Sequence, residues 1–184
     1  ISNDDRRRVV NAGIERGRDV QLANLRRLAD IGASVSWGTL AIRGQRLMLN
    51  RVRTSNSDLR QGEFDGEMLN VIQTGPDGRI LAGVLFDRDD LDAAFAELDA
   101  RYLVGEAAEH AATWSVISGN TAAFNRRELP AATRDCVDVD HRHGTSFAPG
   151  DLGAYLSAAS NLAPEANIYV EAVHHLANLG ATVA

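Results

Sequence analysis

The stretch Glu67-Met68-Leu69-Asn70-Val71-Ile72-Gln73-Thr74-Gly75-Pro76-Asp77-Gly78-Arg79-Ile80-Leu81-Ala82-Gly83-Val84-Leu85-Phe86 decides the fold. Two β-rich runs flank Gly75-Pro76-Asp77-Gly78, where proline presets φ and the glycines permit φ > 0, so the segment reads as a β-hairpin. Upstream, Val35–Arg43 and Leu47–Thr54 are β-rich and meet at Gly44-Gln45, a second tight reversal, while the polar Ser55–Gly62 reads as a loop. Four consecutive strands predict one antiparallel sheet.

Helical spacing surrounds this core. Leu22, Leu25, Leu28 and Ala29 recur at helical period within Glu15–Ile31, and Gly32 is a natural stop. After the sheet, Leu91, Ala94, Phe95 and Leu98 form an apolar stripe running to about Tyr102, with Asp87, Asp89 and Asp90 placed to favour the positive helix end. A longer helix is expected from about Ala108 to Glu128, with Trp114, Ile117, Thr121 and Phe124 on one side and Pro130 ending it. Beyond it the pattern predicts a strand at Cys136–Arg142, a helix at Pro149–Leu162, a strand at Ile168–Leu176 and a last strand around Ala181–Ala184.

Composition bounds the functions. Of 184 residues 45% are hydrophobic and 24% charged, an ordinary globular mix without a run long enough to span a bilayer. The arginine-rich start, Ile1–Val10, has no apolar stretch behind it to act as a secretory signal, so a cytoplasmic location is the expectation. Cys136 is the single cysteine, which excludes an internal disulfide. All nineteen basic residues are arginine, yet the net charge is −6 and the isoelectric point about 5.3, giving no electrostatic footprint for nucleic acid. Arg6, Arg7 and Arg8, following Asp4 and Asp5, read as a solvated face.

A faint internal repeat sets Gly13 against Gly144, Asp19 against Asp151, Leu25 against Leu156, and the strand after Ala33 against that after Ala166. Both copies read as strand, glycine loop, helix, long strand. The string Phe86-Asp87-Arg88-Asp89-Asp90-Leu91-Asp92-Ala93-Ala94-Phe95-Ala96-Glu97-Leu98-Asp99-Ala100-Arg101-Tyr102, and Asn125-Arg126-Arg127-Glu128-Leu129-Pro130 followed by Val139-Asp140-His141-Arg142, resemble the nuclear transport factor 2-like superfamily. Within it they are similar to the SnoaL-like domains found in tandem in actinobacterial multidomain regulators. The resemblance implies an α+β fold in which a curved antiparallel sheet wraps round helices into a cone with an apolar pocket. It divides the chain into a unit at 1–104 lacking its opening helix and a unit at 105–184 lacking its closing strands. Either the helix Ala108–Glu128 closes the first cone, or a second molecule completes the strands near Ala184 as a homodimer or domain swap.

Candidate chemistry is sparse. Asp138, Asp140 and Arg142 alternate along one expected strand and share a face. The family's pockets imply Asp140 as acid–base residue with Arg142 as charge partner, against the alternative of an exposed ion pair. In the first copy Val9, Val10 and Asn11 stand at the matching positions, so that acid is not repeated. His141, His143, His174 and His175 show only adjacency, without the convergent spacing of metal ligands. Trp37, Trp114, Phe124 and Tyr155 fall on apolar faces; Trp114, Tyr155 and Trp37 are candidate pocket rings. Arg43 and His175 are candidate ligand contacts at matching strand ends, with a solvated sheet-edge cap as the alternative for Arg43. Gly13, Gly17 and Gly32 make no phosphate loop, and Ser115 and Ser118 sit in no nucleophile elbow.

No metal or other cofactor is expected, and the partner expected is a small apolar ligand. The reading is a small-ligand-binding or assembly domain of a larger regulatory protein. A small-molecule enzyme of cyclase, isomerase or hydrolase type, and a protein-interaction module using the sheet, remain the alternatives.

Overall fold

The computed structural model describes residues 1–56, 64–130, 132–133, 135–137, 139 and 152–184. The four strands expected from sequence form the centre of a mixed α+β fold: β3 (Ser34–Arg43), β4 (Leu47–Asn56), β5 (Phe64–Thr74) and β6 (Ile80–Asp87). All three junctions are antiparallel. At the deciding hairpin the Gly75 N–H donates to the Arg79 carbonyl at 2.8 Å, and Gly78 takes the positive φ of 73° that the turn requires.

Register places apolar side chains in rows. Ala41 pairs with Leu49, Leu49 with Val71, and Val71 with Val84, and all four are buried. Leu69 opposite Phe86 adds a second row, and each fully buried aliphatic side chain contributes about 1.5–3 kcal/mol. A hairpin, β1 (Ser2–Asp5) and β2 (Gly13–Arg16), extends the sheet because β1 runs parallel to β6; the positions Val9, Val10 and Asn11, expected in the first copy's strand, lie in the loop between the two. The order is β2-β1-β6-β5-β4-β3, an open curved sheet.

The hairpin turn leaves Arg6 and Arg8 exposed, as the solvated-face reading has them, and half-buries Arg7 alone. Arg7 grips the buried Asp5 through Nε at 2.9 Å and Nη2 at 2.7 Å, and Arg8 donates to Asp87 at 2.8 Å and also to Asp89. Asp87 and Asp89 therefore serve Arg8, and the N-cap Asp90 makes no side-chain capping bond.

Helix α1 (Arg18–Asp30) leads into β3 and buries no residue. The sheet is covered by α2 (Leu91–Val104) and, after a 3-10 turn at Ala108–His110, by α3 (Ala111–Asn125). Ala94, Leu98 and Tyr102, at i, i+4 and i+8, turn one face of α2 to the sheet and are buried. Trp114 of α3 is fully buried in the same cluster as Leu69 and Val84, so the core continues past residue 104. Then come α4 (Leu152–Leu162) and a two-stranded sheet, β7 (Val173–Ala177) with β8 (Gly180–Val183).

This last hairpin touches the main sheet where Ile42 N–H donates to Glu171 O at 2.8 Å; Ala172 forms a single parallel bridge with Ile42. The strand expected over 168–176 is thus regular only from Val173.

Three sequence readings are corrected. Trp37 is 71% exposed and is no core residue: it lies on edge strand β3, whose first six residues, Ser34 to Thr39, are all exposed. Arg43 is 1% exposed: strand alternation puts it in phase with Ala41 on the covered face. Cys136, Val137 and Val139 are not in a strand. Asp138, Asp140, Arg142 and the histidines His141 and His143 lie outside the described residues. Among the described residues, no helix is long and apolar enough to cross a membrane.

Candidate functional site

The pair of helices over the sheet leaves a cavity of about 580 Å³ between them, within the range of small-molecule sites. Helical period explains its two long walls. On α2, Asp92, Phe95, Ala96, Asp99 and Leu103 repeat at i, i+3, i+4, i+7 and i+11 along the flank beside the buried stripe. On α3, Ser115, Ser118, Gly119 and Ala122 follow Trp114, and their small volumes hold the wall back.

Arg43 reaches into the floor from the end of β3. Its Nε donates to Asp99 Oδ1 at 2.7 Å and its Nη1 to the Ile42 carbonyl at 3.0 Å. The guanidinium carbon lies 4.9 Å from the Trp114 ring centre and 5.9 Å from that of Phe95, a cation held against two aromatic rings. Tyr102 meets Trp114 edge-on at 5.6 Å. From the C-terminal side Tyr169 closes the space, stacked on Phe95 at 4.4 Å with its hydroxyl donating to Asp92 Oδ1 at 2.7 Å.

Burial sets the electrostatics. Desolvation raises the Asp99 carboxyl above its ordinary range, against the opposing pull of the Arg43 charge, its hydrogen bond, and the Trp114 N–H. That indole N–H lowers the Asp99 pKa without reaching hydrogen-bond geometry, and Trp114 Nε1 is a buried donor without an acceptor. The Tyr169 hydroxyl is pushed up to about 12, first by burial and then by the hydrogen bond to Asp92. At the rim Arg126 is paired with Glu128 at 2.7 Å. The result is an apolar slot with an ion pair on its floor, whose carboxyl, Asp99, has its pKa raised by burial.

Of the sequence candidates, the structure brings Arg43 and Trp114 together here. Trp37, Tyr155 and His175 do not line this cavity; Tyr155 is half-buried in α4 and His175 exposed on β7. Asp99 and Tyr169 were not singled out from sequence. The usable signal for Asp99 was an acid at i+7 from Asp92 and i+4 from Phe95, hard against an apolar stripe. Tyr169 carried no such signal, since its role depends on a contact across 77 residues.

The other acidic cluster, Asp87, Asp89 and Asp90, brings carboxylate oxygens within 4.8 Å of one another, but Arg8 already spans two of the three. No family model, curated protein or solved structure matches this chain.

Proposed function

We propose that the chain is a small-ligand-binding domain of the SnoaL-like kind, built as two related units within a larger regulatory protein. The observation that carries the reading is the cavity between α2 and α3, with Phe95, Trp114 and Tyr169 as aromatic walls and Arg43 with Asp99 on its floor. A hairpin, a helix and a four-strand meander with helices on its face accord with the cone that the family resemblance implies. Fold alone assigns no reaction.

Gly119 offers a clean test. A Cβ added there meets nothing within 4 Å, and glycine inside a helix costs roughly 0.5–1 kcal/mol relative to alanine. Gly119→Leu should therefore fold at least as well while filling the slot. The uncharged reporter N-phenyl-1-naphthylamine is expected to bind the wild-type chain with enhanced fluorescence and to lose binding in Gly119→Leu; unchanged binding in the variant would refute this site.

A small-molecule enzyme is the second reading, favoured by Asp99, a carboxyl raised by burial inside an apolar cavity beside an arginine. In it Asp99 takes the acid–base role that the sequence suggested for Asp140. A protein-interaction reading would use a different surface, the exposed Val35 and Trp37 on one face of edge strand β3.

A further inference from the structure

Charge on the cavity wall restricts what the ligand can be. Four lining residues are charged: Arg43, Asp92, Asp99 and Arg126. Arg43 is held by Asp99 at 2.7 Å and Arg126 by Glu128 at 2.7 Å. Among the described residues Asp92 has no ion-pair partner, so one negative charge on the wall is left over. The Tyr169 hydroxyl donates to its Oδ1 at 2.7 Å, and a carboxylate has about four lone-pair sites, so acceptor capacity is left for a ligand N–H.

Position matters as much as sign. Asp92 and Asp99 stand about two turns apart on α2, roughly 10 Å, which separates a cation at Asp92 from the Arg43 guanidinium. Beside Asp92 the stacked rings of Phe95 and Tyr169 begin the apolar part of the slot. The positive end of α2 opposes a cation with about half a charge, which Asp90 at the N-cap offsets. An anion would meet Asp92 and would have to take Arg43 from Asp99. A neutral molecule would leave the Asp92 charge unanswered.

We propose that the cavity takes a cationic amphiphile, an apolar body of aromatic size carrying one protonated amine that donates to Asp92. This deepens the ligand-binding reading and rests on it. Asp92 is exposed, so screening by solvent holds the gain from the charge to roughly fivefold.

Three probes built on one naphthylmethyl stem separate the outcomes by titration calorimetry on the full chain at neutral pH: 1-naphthylmethylamine, 1-naphthylmethanol and 1-naphthylacetate. The amine should bind roughly fivefold more tightly than the alcohol, and the acetate more weakly than either. Asp92→Asn removes the charge while keeping an acceptor for Tyr169, and in it amine and alcohol should bind alike. The net charge of −6 attracts any cation, so Asp30, an exposed acid of α1 outside the cavity, supplies the control. Asp30→Asn changes the net charge equally and should keep the amine preference. Far-UV circular dichroism checks both folds; if Asp92→Asn does not fold, the rankings in wild type and Asp30→Asn decide. Equal binding of amine and alcohol by the wild-type chain, tightest binding of the acetate, an amine preference that survives in folded Asp92→Asn, or one lost in Asp30→Asn overturns the proposal and leaves the ligand-binding reading standing. Failure of all three probes to bind the wild-type chain, or binding that Gly119→Leu leaves unchanged, overturns both.

Discussion

Arg43 Nε lies 2.7 Å from Asp99 Oδ1, so a salt bridge joins residues 56 positions apart and ties the end of β3 to the middle of α2. Neither partner is in open water: their side chains are 1% and 18% exposed. Breaking such a pair on one side costs more than removing it whole, because a buried charge is left uncompensated.

Arg43→Met should therefore lose about 3 kcal/mol in urea unfolding, while Arg43→Met/Asp99→Leu should recover most of that loss. The double-mutant cycle reads the coupling directly, and additive losses would mean that the two side chains do not interact.

Acid sensitivity should centre on Asp5. The Arg7 side chain, followed by the backbone N–H groups of Arg7 and Ala12, outweighs burial and lowers its pKa. A lowered folded pKa gives stability that is present above the unfolded value of 3.8 and lost as pH falls through the folded value. Asp5→Asn should cost about 2 kcal/mol at pH 7, with the difference from wild type closing as the pH is taken below 3.8. A deficit that stays constant across that range would show that Asp5 is not ionised in the fold.

Asp99 runs the other way. Its pKa is raised, so its contribution is complete below 3.8 and is lost as pH rises through the raised folded value. Wild type should lose stability relative to Asp99→Asn over that rise.

Tyr169 supplies an alkaline marker. With its hydroxyl at about 12 against an ordinary 10.0, its stabilising effect is complete below pH 10 and is lost between these values. Ultraviolet titration should show a late tyrosine that moves toward 10 in Asp92→Asn; an unmoved titration would remove the Asp92 bond.

The centre of the sheet was legible because Gly75-Pro76-Asp77-Gly78 and Gly44-Gln45 are local turn chemistry between β-rich runs. The helices were legible from Leu91, Ala94, Phe95 and Leu98 and from the Trp114 face, with ends displaced by a few residues. Strands β1 and β2 escaped notice because each has four residues and polar composition; their pairing depends on β6, some 80 residues away. Trp37 misled because an indole on a strand normally signals burial, whereas this one lies in the exposed first half of an edge strand. The site was half legible: Trp114 and Arg43 stood out by type, but Asp99 acquires meaning only from Arg43 across space. Asp140 drew attention as an acid beside a basic partner, yet its residues lie outside those the structure describes.

The two tryptophans make the central claim measurable. In a Trp37→Phe background the remaining indole, Trp114, is fully buried on the cavity wall. Acrylamide quenching of that single emitter, with and without N-phenyl-1-naphthylamine, tests most directly whether α3 packs on the core beside a ligand slot. The account predicts weak acrylamide quenching, saturable quenching by the dye, and loss of the latter in Gly119→Leu. A Trp114 freely quenched by acrylamide, or a dye response unchanged by Gly119→Leu, would contradict it.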